Sequence, residues 1–186
     1  MIIPISSFGL PILRVKCKNI NADYPNLNDL INDMWETMYN ANGVGLAAPQ
    51  INLGVKLFVI DTTTFKNDSE NSGFKPVKKV FINAIITNET EDEWNFSEGC
   101  LSIPDIREDI SRKSIISIEY FDENFNKHTD KFEGLNARVI QHEYDHINGI
   151  LFIDKLSVLR KRMIKNKLKN ISKGKINTDY KMRYVR

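Results

Sequence analysis

At 186 residues, 41% hydrophobic and 27% charged, the chain has the size and composition of one globular domain with a substantial core. Two cysteines leave no disulfide framework and fit a reducing compartment, and no apolar run approaches the length of a membrane span. The net charge of +2 is unevenly placed: Lys155 to Arg186 carries twelve Lys/Arg against one acidic residue, Asp179, so residues 1–154 stand at about −9 and the end segment at about +11.

Taken in chain order, Leu27 to Asn40 is predicted as a helix, because Leu30, Ile31, Met34, Trp35 and Met38 recur at helical spacing. Gly43-Val44-Gly45-Leu46-Ala47-Ala48-Pro49-Gln50 follows. It lacks the Lys-Ser/Thr ending of a phosphate loop and the GxGxxG spacing of a dinucleotide site. Its small residues suit a backbone lying close to a substrate, with Gln50 delivering an amide; the plainer reading is a turn after a helix. Val55–Ile60 and Val80–Ile86 are β-rich, and the polar stretch between, Thr62 to Lys79, is predicted as a loop. Ser114–Phe121 and Lys127–Phe132 are predicted as strands joined by a turn at Asn124–Asn126. His128 falls on the second of these and is expected to be inert, without a nearby partner.

Gly134 and Gly149 bracket a second helix, Leu135 to Asn148, with Leu135, Val139, Ile140 and Ile147 as a partial apolar stripe. A third, basic helix is expected from about Ser157 to Ile171, ended near Gly174. Leu159, Met163 and Ile164 would hold it on the domain, and Lys161, Arg162, Lys165 and Lys169 would face outward. Residues after Gly174 lack helical patterning and are expected to order only on binding. The division is therefore a domain over 1–172 and a basic tail over 173–186. The pattern is α+β, with short β-sheets packed around a central helix.

That central helix carries Gln141-His142-Glu143-Tyr144-Asp145-His146. Histidines four residues apart share a helix face and can grip one divalent cation, while the adjacent glutamate is placed to shuttle a proton. A catalytic site of this type usually takes a third protein ligand. Cys100, in Glu98-Gly99-Cys100-Leu101-Ser102, is the leading candidate; its plainer reading is a small buried hydrophobe. Cys17, between two lysines, has no assigned role. Two imidazoles and a thiolate would suit zinc. Glu98, Asp145 and Arg112 are candidates for supporting the ligands, with Arg112 able to pair with one of the two acids.

GVGLAAPQ, EGCLS and QHEYDH, in that order, resemble the three motifs of the peptide deformylase family. The similarity extends to Phe8–Arg14 and to Asn148-Gly149 with Leu151-Phe152, and covers about residues 5 to 170. It implies a peptide-deformylase-like α+β fold with a C-terminal helix. The implied activity is removal of formyl from N-formylmethionyl nascent peptides, giving formate and a free amine. By the motif match, Cys100, His142 and His146 hold the metal, with Fe²⁺ native and Zn²⁺ or another divalent ion able to substitute. Glu143 becomes the general base and then the proton donor. The Gln50 amide and the Leu101 backbone N–H become the oxyanion donors. Val44, Leu101 and Leu135 become walls of the methionine pocket, Gly45 a further substrate-binding residue, and Arg107 a contact to the substrate backbone. Arg138 stands where the family often has an apolar residue, at the pocket's outer edge.

A cytoplasmic location without membrane attachment is expected, and ribosome association through the basic segment. Truncation after Ser172 should then weaken ribosome binding and spare turnover of a short formyl peptide. Two other readings are an HExxH zinc peptidase and a non-catalytic, ribosome-binding deformylase-like module. The peptidase would need a downstream histidine or glutamate ligand, and neither residue type occurs after His146.

Overall fold

The computed structural model describes residues 1–68 and 74–185. Helix α1 (Leu27–Asn40) forms where its apolar spacing predicts and buries Leu27, Ile31, Met34 and Met38. The chain then reverses into β2 (Gly45–Ala47), which pairs antiparallel with β3 (Leu57–Asp61); β1 (Ile5–Ser6) precedes both. Part of the loop expected over Thr62 to Lys79, residues 69–73, lies outside the described residues, and Lys78 and Lys79 already belong to the next strand.

That strand, β4 (Lys78–Cys100), runs 23 residues, and its partner β5 (Ile103–Phe121) runs 19, both far longer than the sequence pattern suggests. The distal half of β4 reads Thr-Asn-Glu-Thr-Glu-Asp-Glu from Thr87 and carries little apolar alternation. It is a strand because its backbone pairs with β5, a long-range term that side-chain periodicity does not report. Register shifts near Ile82–Ile85, Ile86–Asn88 and Thr90–Glu93 mark bulges, which bend a ribbon of this kind. β6 (Lys127–Glu133) completes a five-stranded antiparallel sheet in the order β2-β3-β4-β5-β6.

The β5–β6 turn is closed by Asp122, whose Oδ1 accepts from the N–H groups of Asn124 and Asn126 at 2.9 Å each. His128 does have a partner: its Nε2 lies 2.8 Å from Asp122 Oδ2, and its ring stacks on Tyr120. The histidine braces a turn, which fits its exclusion from the site while correcting the expectation of isolation.

Helix α2 (Gly134–Ile147) packs on the sheet, where Ala137, Val139, Ile140 and Ile147 join Phe58, Ile60, Phe81, Ile116 and Ile118 in one core. Gly149 ends the turn that follows, at φ +74°, with the Arg14 carbonyl oxygen 2.7 Å from where a Cβ would sit. Only glycine satisfies both constraints there. The chain continues into α3 (Val158–Ser172), capped by Ser157 Oγ, which accepts from Arg160 N–H at 3.2 Å. Ile164 and Ile171 are buried and Leu168 half-buried, so the face at spacing i, i+4, i+7 holds this helix on the domain. Leu159 and Met163 are 70% and 62% exposed, contrary to expectation, because they lie about a third of a turn off that face.

The C-terminal segment also departs from expectation. β7 (Met182–Arg183) pairs parallel with β1. Ile5 N–H donates to the Lys181 carbonyl at 2.9 Å and Ser7 N–H to the Arg183 carbonyl at 2.8 Å. A helical period is absent after Gly174 because the segment is extended, and Ile176 and Tyr180 anchor it on two of the cores. Among the described residues no helix is long and apolar enough to cross a membrane.

Candidate active site

Cys100 is the last residue of β4, and Leu101-Ser102 form the two-residue turn into β5, with Cys100 and Ile103 paired across it. This hairpin tip meets α2, whose helical repeat puts His142 and His146 on one face one turn apart. The ligand atoms of Cys100, His142 and His146 all lie within 4.8 Å of one another, and Cys100 Sγ is 3.2 Å from His146 Nε2. A thiol and two imidazoles at this spacing are the donor set of a divalent transition-metal site.

Glu98, also on β4, lies 2.9 Å from His142 Nδ1, an orientation that leaves Nε2 for a ligand. The same carboxylate accepts from Arg112 Nε at 2.7 Å and Nη2 at 2.9 Å, and from Arg138 Nη1 at 3.0 Å. Burial alone would raise its pKa, but the hydrogen bonds from Arg112 and His142 win and hold it well below the usual carboxylate range. Arg112 Nη1 also donates to Asp145 Oδ2 at 2.7 Å, so Arg112 pairs with both acids rather than one.

Glu143 is buried, and its Oε2 has no hydrogen-bond partner among the described residues. Burial pushes its carboxyl up to about 7, with His142 offsetting part of that effect. Gly45 makes room for it: a Cβ at that position would sit 2.8 Å from Glu143 Cδ. Gln50 is oriented by Ala47, whose N–H donates to Gln50 Oε1 at 2.8 Å. Its Nε2 therefore points toward Cys100 Sγ at 3.6 Å and Ser102 Oγ at 3.4 Å. These groups line a cavity of about 500 Å³ together with Val44, Leu101, Arg107 and Val139.

A family model for polypeptide deformylase matches residues 2–162. The chain belongs to the peptide deformylase family. It is 60% identical to the peptide deformylase of Christiangramia forsetii, over 99% of this chain and 96% of the relative. It is 54% identical to that of Flavobacterium psychrophilum, over 100% and 98%. The crystal structure of the Legionella pneumophila peptide deformylase superposes with a TM-score of 0.81 at 35% identity, covering 94% of this chain and 98% of that one. The chain is accordingly a deformylase, a hydrolase that removes the formyl group from newly made polypeptides, with the α+β fold of the family.

Set against the deformylase motifs, the structure brings Val44, Gly45, Gln50, Cys100, Leu101, Arg107, His142 and Glu143 to one cavity, with His146 behind it. Leu135 is not among that lining. It lies at the start of α2, in a neighbouring groove with Phe74, Trp94 and Phe132; Phe65 borders both. The reason is rise along the helix: Leu135 shares a face with Val139 and His142 but sits about two turns from the latter. Arg107 Nη2 donates to the Ser97 carbonyl at 2.7 Å from the cavity's exposed side.

Arg138 is only 1% exposed. Besides Glu98 it donates to the carbonyls of Ile110 at 2.8 Å and Trp94 at 2.6 Å, and it lies over the Trp94 ring. It ties the β4–β5 ribbon to α2 and also lines the cavity, where the sequence reading puts it. Sequence reasoning gives no role to Ser102 or Tyr180, and singles out Arg138 only as a departure at the pocket edge. Ser102 stood inside a motif, whereas the other two acquire their roles only by contacts across the fold.

Proposed function

We propose that Cys100, His142 and His146 hold a divalent ion, Fe²⁺ natively with Zn²⁺ able to substitute, and that Glu143 moves the proton in deformylation. The donor set supports a soft-to-borderline divalent metal, and the Glu98 contact to His142 supports its orientation for ligation. Such an ion supplies Lewis acidity, lowering the pKa of water toward neutrality and polarising the formyl carbonyl.

The single observation that carries the assignment is the Glu143 carboxylate, buried, unpartnered at Oε2 and lining the same cavity as Cys100 and His142. A carboxyl whose pKa is pushed to about 7 is suited to accept a proton from the attacking water and return it to the departing amine nitrogen. In that exchange the water oxygen bonds to the formyl carbon and the C–N bond breaks, yielding formate and a free amino terminus. Gln50 Nε2 and the Leu101 N–H would donate to the developing oxyanion; losing one such donor typically costs about 10²–10³ in rate. Val44, Gly45 and Leu101 would wall the formylmethionine side chain, Leu135 would act further along the same helix face, and Arg107 would meet the substrate backbone.

The same reading includes a cytoplasmic location and salt-sensitive ribosome association through the basic segment from Lys155 onward. Exposed Lys161, Arg162, Lys165 and Lys169 on α3, beside exposed Leu159 and Met163, support a docking surface. Formate release from formyl-Met-Ala-Ser by anaerobically iron-loaded protein tests the catalytic part. No turnover by fully loaded protein would sink it. The zinc-peptidase reading gains nothing from the geometry, since the third donor beside the histidines is Cys100.

A further inference from the structure

The turn that carries Cys100 and Leu101 is held from outside the sheet by both ends of the chain. Phe8 N–H donates to the Ser102 carbonyl at 2.8 Å. Tyr180, 79 residues from its partner, donates its hydroxyl to the Leu101 carbonyl at 2.8 Å. The parallel β1–β7 pair joins the two terminal segments directly beside these contacts, at Ile5–Ser6 and Met182–Arg183. Thr178 Oγ1 donates to the Tyr180 carbonyl at 2.8 Å and fixes the backbone that presents the ring. The ring then lines the same cavity as Gln50, Cys100 and Glu143.

We infer that Tyr180 is a positioning residue for deformylation, which sets the Leu101 peptide through its carbonyl and closes one wall of the cavity with its ring. Leu101 is a central residue of a two-residue turn, whose two central residues have no ladder partners of their own. Its C=O belongs to the Leu101–Ser102 peptide; because Cys100 and Ile103 are paired across the turn, holding that plane also restrains rotation of the preceding Cys100–Leu101 peptide, which carries the Leu101 N–H. A donor aimed at a developing charge works only if its direction is set before reaction. The neighbouring carbonyl, that of Ser102, is held by Phe8, and the Ser102 hydroxyl by Gln50, so Tyr180 supplies the remaining restraint on the turn. The inference rests on the assignment of Leu101 N–H as an oxyanion donor. It also reverses an expectation from sequence: truncation after Ser172 removes Tyr180 and β7 and should depress turnover of even a short formyl peptide.

Tyr180→Phe keeps the ring and removes only the hydroxyl. In metal-loaded full-length protein it should lower kcat on formyl-Met-Ala-Ser about 3- to 10-fold, the range for one neutral hydrogen bond. KM should stay within about twofold and metal content should not change. Tyr180→Ala, which also removes the wall, should raise KM in addition. In metal-free protein, Tyr180→Phe should speed amide hydrogen exchange across Cys100–Ile103 with no change in the thermal midpoint of unfolding beyond a few degrees. Wild-type kcat in Tyr180→Phe, unchanged exchange across the turn, or a kcat loss that follows metal loss alone would each overturn the inference. Failure of the site assignment itself reads out separately, as near-normal turnover by fully loaded Glu143→Gln.

Discussion

Helices α2 and α3 are of similar length and both carry many polar residues, yet α2 buries ten of its fourteen residues and α3 two of its fifteen. The polar groups on α2 are mostly matched inside the protein: Asn136 accepts from Thr62, Arg138 and Asp145 share the Glu98–Arg112 network, and Gln141 donates to Glu89. Four atoms on this helix have no partner among the described residues: Arg138 Nε and Gln141 Oε1, whose side chains are otherwise hydrogen-bonded, and Glu143 Oε2 and His146 Nδ1 beside the cavity. On α3 the charges face water and have few partners. A buried polar group without a partner costs about 1–3 kcal/mol, so a buried carboxylate with an unpaired oxygen at a cavity signals chemistry, whereas an exposed charged face signals at most docking.

The contrast breaks most severely at the ligands. Cys100→Ser replaces a soft thiolate with a poor hydroxyl ligand, and iron retention and turnover should fall together. Metal analysis alongside formate release checks this; a fully active, stoichiometrically loaded variant would return Cys100 to a packing role. Glu143→Gln leaves the three proposed donors intact and removes the proposed proton carrier, so kcat should drop by at least about 10² with metal content preserved. Near-normal turnover would remove the distinction drawn for α2.

Arg112→Met sharpens the comparison one step out. It removes the guanidinium that bonds the buried carboxylates of Glu98 and Asp145 at 2.7–2.9 Å, leaving Glu98 with Arg138 and His142 and Asp145 with Lys155. Breaking such a pair costs about 3–5 kcal/mol of stability, and losing ligand orientation commonly costs about 10–100-fold in metal affinity or activity. Denaturant midpoints and metal titration measure the two losses separately; a variant unchanged in both would show that Glu98 orients His142 without help.

The smallest effect on folding belongs to α3. Replacing Lys161, Arg162, Lys165 and Lys169 with alanine should change stability by no more than about 0.5 kcal/mol per site and leave formyl-peptide turnover intact. Ribosome co-sedimentation at low salt should nevertheless weaken, because phosphate contacts release counterions. Equal pelleting of the variant and the parent chain at two salt concentrations would leave this face as solvated surface only.

Read from the amino acids alone, the local features of this protein are complete: the apolar spacing of α1, the glycine-bounded α2, the His142–Glu143–His146 face and the basic character of α3. Each depends on residues within a turn or two of one another, which is the range over which side-chain periodicity carries information. The three motifs, with the resemblance they carry, also pointed to Cys100 and Gln50 before any contact was visible. Tertiary structure alone decided the rest. The polar half of β4 is a strand because β5 pairs with it, Arg138 is a buried tie because Glu98 and two carbonyls converge on it, and Leu135 falls outside the cavity because of its height on α2. The segment after Gly174 is ordered because β1 offers it an edge, and its Tyr180 reaches Leu101 across 79 residues of chain. Pairings at such separation leave no mark on local pattern, since Tyr180 and Tyr184 in this polar segment read alike until the fold supplies a partner.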